Sequence, residues 1–263
     1  MRQRHWKSLA AICGALLIAG CGHSVAAAPT PDAHARPVLD SPAAPVVPIA
    51  GQVVVLDPGH NGGGADHPDQ LNAQVPDGRG GTKACNTTGT NGADGYSEHA
   101  FNWDVAQRVR DALTLRGYRV IMSRDSDTGV GPCVDERGTL GNRVGAAAVV
   151  SIHADGAPAG AHGFHVAYSS PALNDAQSGP SVQLATALRD TMVGRGFTTS
   201  TYVGSDGMDP RADLAGLNFS ERPTALIECG NMRDPGDAAV IESPDGRARF
   251  ADAITAAIAA YLN

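Results

Sequence analysis

Three short runs constrain this chain more than anything else in it: VVVL (Val53–Leu56), AVVSI (Ala148–Ile152) and TALI (Thr224–Ile227). Each is an apolar run of strand length without polar alternation. Such a run is stable where both of its faces are covered, as in a strand inside a parallel sheet. Strands are predicted over 52–57, 118–123, 149–153, 163–168 and 224–229. Between them lie helical stretches. Glu98–Arg116 carries Phe101, Val105, Val109 and Leu113 at four-residue spacing, with Ser97 as N-cap and Gly117 as a stop. Residues 135–148, 181–195 and 247–262 read as further helices. Strands alternating with helices predict an α/β fold: a single domain with a mainly parallel twisted sheet flanked by helices on both faces.

The N-terminal fifth stands apart. Arg2, Arg4 and Lys7 precede an apolar stretch, Ser8–Gly20, which is short for a membrane span and the right length for a signal peptide core. IAGC (Ile18–Cys21) resembles a lipobox, which would place a lipid on Cys21; SVA (Ser24–Ala26) suits ordinary cleavage. Both readings predict export, to the periplasm or cell wall, with a lipid anchor in the first case only. Residues 1–26 are therefore read as signal peptide, 27–51 as a Pro/Ala-rich linker, and 52–263 as the folded domain.

A net charge of −7 speaks against nucleic acid or anionic lipid as a partner. Of the five cysteines, Cys13 and Cys21 belong to the leader. Cys85 and Cys133 sit in Gly/Thr/Pro-rich loop sequence and are predicted to pair in an oxidising compartment; Cys229, inside an apolar run, reads as a buried free thiol.

The stretch VVVLDPGHNGGG (Val53–Gly64) looks at first like a phosphate-binding loop. Such a loop must lead into a helix whose N-terminal amides hold the anion. Here ADHPDQLNAQVPDGRG follows, with two prolines, no apolar period and no Gly-Lys-Ser/Thr, so that reading fails. The alternative is that His60 is a metal ligand, since it stands past the C-terminal end of a strand, where open α/β sheets place their sites. The same edge would collect His153 from VVSIHADG, Glu98 from the start of a helix, and Glu228 from TALIECGN. A carboxylate in an apolar run is costly unless paired or metal-bound. Two His and one carboxylate, with a fourth position open, make a catalytic zinc site, and a further carboxylate off the metal can serve as general base. Other polar residues have blander readings. His162 and His165 are three apart and would point to opposite faces of a strand, making a poor metal pair, though His165 could line the cleft. His99 should face away from the site, and Asp66 and His67 are weak competitors for metal. Asn231 and Arg233 read as loop-ordering residues, and Asp57 as either a support for a ligand His or a stabiliser of the Pro-Gly turn.

Together VVVLDPGHNGG, a Glu opening the next helix, VVSIHAD and PTALIECGNMRD resemble the zinc-dependent N-acetylmuramoyl-L-alanine amidases of the amidase_3 type, and particularly the secreted mycobacterial peptidoglycan amidases. The resemblance spans most of residues 52–263. It implies that His60, Glu98 and His153 hold one zinc ion per chain and that Glu228 is the catalytic carboxylate. It also implies a monomer acting on peptidoglycan fragments or muropeptides, cutting the amide between N-acetylmuramic acid and L-alanine. One departure is the 37 residues that separate His60 from Glu98. This insertion, tied down through Cys85, either narrows the cleft or merely stabilises a long loop. Two other classes compete. A binding module that has lost catalysis is disfavoured by the presence of all four site residues. A zinc peptidase acting on stem peptides is disfavoured by the absence of HExxH and of a His-x-x-Glu pair.

Overall fold

One six-stranded sheet carries the three apolar runs side by side. The structure, a computed structural model, describes residues 51–158 and 160–263. The leader, Cys21 and residues 27–50 of the linker fall outside the described residues. In chain order the strands are β1 (Val53–Pro58), β2 (Gln74–Pro76), β3 (Thr82–Ala84), β4 (Arg119–Met122), β5 (Ala148–Asp155), β6 (His165–Ser169), β7 (Met208–Arg211) and β8 (Thr224–Asn231). The helices are α1 (Pro68–Leu71), α2 (Glu98–Leu115), α3 (Val134–Val144), α4 (Asp175–Ser178), α5 (Pro180–Gly194), α6 (Ala215–Asn218), α7 (Pro235–Ile241) and α8 (Pro244–Leu262). The main sheet runs β4-β1-β5-β8-β6-β7, and β2 with β3 forms a separate antiparallel hairpin. From β4 to β8 all pairings are parallel; β6 then runs antiparallel to β8, and β7 follows β6 in parallel.

Alternation along the strands sorts residues onto two unlike faces. Val54, Leu56, Val150, Ile152, Ala225 and Ile227 pack under α2, α5 and α8 in the main core, against Phe101, Val105, Leu113, Leu184 and Ile254. The other face carries α3 and α6, and its apolar cluster is small: Val55, Ala146 and Val149. On this face the strands turn polar toward their carboxyl ends. Val55 is followed by Asp57; Val149 by Ser151 and His153; Leu226 by Glu228. A cavity of about 240 Å³ lies between this face and α3 and α6, walled by Val149, Leu226 and Leu217 and reaching His60 and His153.

The connections fix where that polar edge opens. From β1 the chain passes through α2 to β4 on one side, then through α3 to β5 on the other. The carboxyl ends of β1 and β5 therefore flank a topological switch point, where helices depart to opposite faces and leave a crevice.

Three features depart from the sequence expectation. Strand β7 has Pro210 at its third position, which breaks the pattern; at the sheet edge a missing N–H is tolerated. The helix expected to reach residue 148 ends at Val144, because Gly145 takes the left-handed conformation (φ 63°) and closes it with N–H bonds to Asn142 and Gly141. The aperiodic stretch 58–97 contains a 3-10 turn at Gly62–Asp66, α1 and the β2–β3 hairpin. Cys85, just after this hairpin, is disulfide-bonded to Cys133 at the start of α3, across 48 residues. Closing a loop of that length contributes about 4 kcal/mol in the chain-entropy account. Cys229 is free and buried. Among the described residues no helix is long and apolar enough to cross a membrane.

Candidate metal centre

At the β1/β5 crevice three side chains converge. His60 follows β1 in a turn, Glu98 is the first residue of α2, and His153 lies near the end of β5. One ligand atom from each lies within 4.8 Å of the others, a grouping that can hold one metal ion. His60 Nε2 is 3.1 Å and His153 Nδ1 2.8 Å from the same oxygen, Oε1 of Glu98. Donors about 2.1 Å from a tetrahedral zinc stand roughly 3.4 Å apart, so the set fits such an ion with small adjustments. The donor chemistry, two imidazoles and one carboxylate, is that of a catalytic zinc site with one position left open.

Each donor is aimed by a partner. His60 Nδ1 donates to the carbonyl of Thr87 (2.8 Å), which leaves the Nε2 lone pair for the centre. Glu98 Oε2 accepts the Thr90 amide (2.9 Å), and the positive end of α2 favours a carboxylate at this position. Burial alone would raise the Glu98 pKa; hydrogen bonds and charge from His153 and His60 hold it well below the usual range. Burial alone would lower that of His60, and Glu98 turns the balance upward. Glycines make room for the rings. A Cβ on Gly59 would lie 2.0 Å from His153 Cε1, and one on Gly89 (φ +80°) would lie 2.7 Å from Glu98 Oε2.

The turn carrying His60 is itself clamped. His60 has a left-handed backbone (φ 58°), a conformation costing about 1–2 kcal/mol for a residue with a side chain. Arg137 of α3 holds it there. Its guanidinium donates to the carbonyls of Pro58 (2.9 Å) and His60 (3.0 Å) and to Asp57 Oδ1 (2.7 Å). Arg124 adds a bond to the Pro58 carbonyl (2.9 Å), and Asn102 one to that of Gly59 (3.2 Å). Asp57 also accepts from Ser123 and Ser151, so its role is to stabilise the turn. Burial would raise the Asp57 pKa, but Arg137 and the two hydroxyls bring it down to about 2. A folded-state pKa below the unfolded value means stability that is complete above about pH 4 and lost as pH falls toward 2, worth on the order of 2 kcal/mol. Asp57→Asn should therefore lower the urea midpoint at neutral pH, with the gap to wild type closing between pH 4 and pH 2. A gap independent of pH would show that the pair does not carry this stability.

Glu228 lies beside this cluster and outside it. It pairs in register with His153 on one side and with His165 on the other. Its Oε2 is buried without a hydrogen-bond partner, and burial, with the charges of Glu98 and Asp155, pushes its pKa well above the carboxylate range. The remaining sequence candidates separate cleanly. His99 bonds Asp127 (2.8 Å), and the half-buried His162 bonds the Gly160 carbonyl (3.2 Å). Asp66 and His67 lie outside the three-residue cluster. Asn231 is fully buried and orders the loop after β5 through the amide of Ala157 and the carbonyl of Ala161. Arg137, Thr87, Thr90, Gly59 and Gly89 are the functional supports that sequence reasoning missed.

Comparison with known proteins agrees with this geometry. The family described as Amidase_3, N-acetylmuramoyl-L-alanine amidase, matches residues 54–260. The chain is 46% identical over 230 residues to N-acetylmuramoyl-L-alanine amidase Rv3717 of Mycobacterium tuberculosis, covering 88% of this chain and 94% of that protein. It is 53% identical to the crystal structure of the N-acetylmuramyl-L-alanine amidase Ami1 from Mycobacterium smegmatis, with a TM-score of 0.79 over 82% of this chain and 98% of that one. The apo form of Ami1 from Mycobacterium abscessus is similar at 48% identity and the same TM-score, covering 82% of this chain and 100% of that one.

Proposed function

The chain belongs to the Amidase_3 family of N-acetylmuramoyl-L-alanine amidases, and we propose that His60, Glu98 and His153 hold its zinc and that Glu228 is its catalytic carboxylate. The reaction is hydrolysis of the amide between N-acetylmuramic acid and L-alanine of peptidoglycan. The observation that carries the assignment is the convergence of three aimed donors at the switch point, with a buried carboxylate left over beside them. Zinc bound there supplies Lewis acidity, polarising a carbonyl and making water acidic near neutral pH. Glu228 takes the proton of the attacking water and returns it to the departing L-alanine nitrogen. The cavity beside His60 and His153 offers an apolar wall to the substrate where it borders the scissile bond.

The protein acts outside the cytoplasm, a reading supported by the Cys85–Cys133 disulfide and the leader-like N-terminus. The leader ends either in ordinary cleavage at Ser24–Ala26 or in lipidation of Cys21, and this choice, like the monomeric state, rests on the sequence alone.

Digestion of purified peptidoglycan followed by mass spectrometry tests the activity. The expected products are free stem peptides beginning with L-alanine, together with peptide-free glycan. Shortened stems still attached to muramic acid would replace the amidase by a peptidase.

A further inference from the structure

Two buried polar atoms without partners sit on residues that are directly paired. His165 of β6 and Glu228 of β8 face each other in the antiparallel ladder. Residues paired in this way project from the same sheet face with Cβ atoms about 5 Å apart. Nδ1 of His165 and Oε2 of Glu228 are both buried and unbonded. Leaving a donor and an acceptor unmet on neighbouring side chains is costly, and one hydrogen bond between them removes both penalties.

The surroundings of His165 decide which atom donates. The imidazole is 2% exposed and packs edge-on to the Tyr202 ring at 5.9 Å, while the Tyr202 hydroxyl donates to Asp155 (3.0 Å). Burial lowers its pKa, against the nearby charges of Asp155 and Asp209, so the ring is neutral and has a single N–H to place. Nε2 stands 3.8 Å from Asp209 Oδ2, beyond hydrogen-bond range, and that oxygen already accepts from Arg211 (3.2 Å). Nδ1 and Glu228 Oε2 do not meet hydrogen-bond geometry in the structure either, but Oε2 accepts from no other group, so the proton belongs on Nδ1, beside the carboxyl.

We infer that His165 is a positioning residue for Glu228: rotation of the two paired side chains brings its Nδ1–H onto Oε2, and the bond so formed holds the carboxyl with Oε1 facing the reacting groups. The bond serves both protonation states, because Oε2 accepts equally when Oε1 carries the proton from water and when it has given that proton to the departing nitrogen. His165 gains and loses no proton in the cycle. The inference rests on Glu228 being the proton carrier.

Three substitutions and one spectrum test it. In His165→Asn the amide nitrogen takes the place of Nδ1, in His165→Gln that of Nε2, and His165→Leu keeps the bulk without either. With zinc-loaded full-length protein and muropeptide substrate, His165→Leu and His165→Gln should lose 10- to 100-fold in kcat with KM and zinc content unchanged. His165→Asn should recover to within a few-fold of wild type. Independently of activity, 15N spectra of the imidazole should show the Nδ1–H tautomer, and Glu228→Ala should shift that resonance. A His165→Leu variant within twofold of wild-type kcat, a loss confined to KM, or an Nε2–H tautomer would each overturn the inference while the amidase assignment stands. If wild type releases no stem peptides beginning with L-alanine, the functional reading fails instead, and the tautomer still reports on the hydrogen bond.

Discussion

Glu228→Ala is expected to remove turnover by roughly 10³-fold and to leave about one zinc per chain in place. Both halves follow from position. Glu228 is the register partner of His153, close enough for its charge to be felt by the cluster, yet the grouped donor atoms come from His60, Glu98 and His153. Removing it deletes the proposed proton carrier without touching a donor of the grouped cluster. The variant should also fold well, because it loses a buried carboxyl repelled by Glu98 and Asp155 rather than a packed apolar group. Elemental analysis of the purified variant, alongside product analysis on muropeptides, decides the matter. A variant without zinc would move Glu228 into the ligand set.

Gly59→Ala should be nearly as damaging by another route. The added methyl would lie 2.0 Å from Cε1, 2.2 Å from Nε2 and 2.6 Å from Nδ1 of His153, separations no real Cβ tolerates. Neither side can retreat. The Gly59 amide donates to the Ile152 carbonyl (3.0 Å), and the His153 ring is held through Nδ1 by Glu98 (2.8 Å). The ring must leave the cluster, so zinc content is expected to fall below about one-tenth of an equivalent, and activity with it. The cost to the fold should be modest, about 1–3 kcal/mol, as for other overpacked sites. Zinc stoichiometry measured beside a thermal melt separates the two effects. A Gly59→Ala variant that binds one zinc at wild-type affinity would mean the steric account is wrong.

The sequence made the parallel core legible because its strands are buried on both faces and so are written in uninterrupted apolar letters. The donors were legible for a related reason: polar residues at the ends of such runs are conspicuous. What stayed hidden shares a different character. β7 contains a proline, and β2 and β3 are three residues each with little burial, so neither pattern nor propensity marks them. The orientation of β6 depends on which neighbour it meets, and no local signal carries that. Arg137 reads in sequence as an ordinary charge on a glycine-containing helix; only folding brings it, 77 residues on, to the carbonyl of His60. Gly59 and Gly89 matter for atoms they lack, which becomes visible only once the rings lie against them.

The disulfide also shortens the path by which the metal turn acquires its supports. Thr87, which orients the His60 ring, lies two residues past Cys85; Arg137, which grips its backbone, lies four past Cys133. Along the unlinked chain these two supports are 50 residues apart, and bringing them together carries the loop-closure entropy of that span. Through the crosslink they are neighbours already in the unfolded ensemble. The contact order of the least favourable backbone conformation at the centre is thereby reduced, and the two arms that hold His60 can assemble as one local unit.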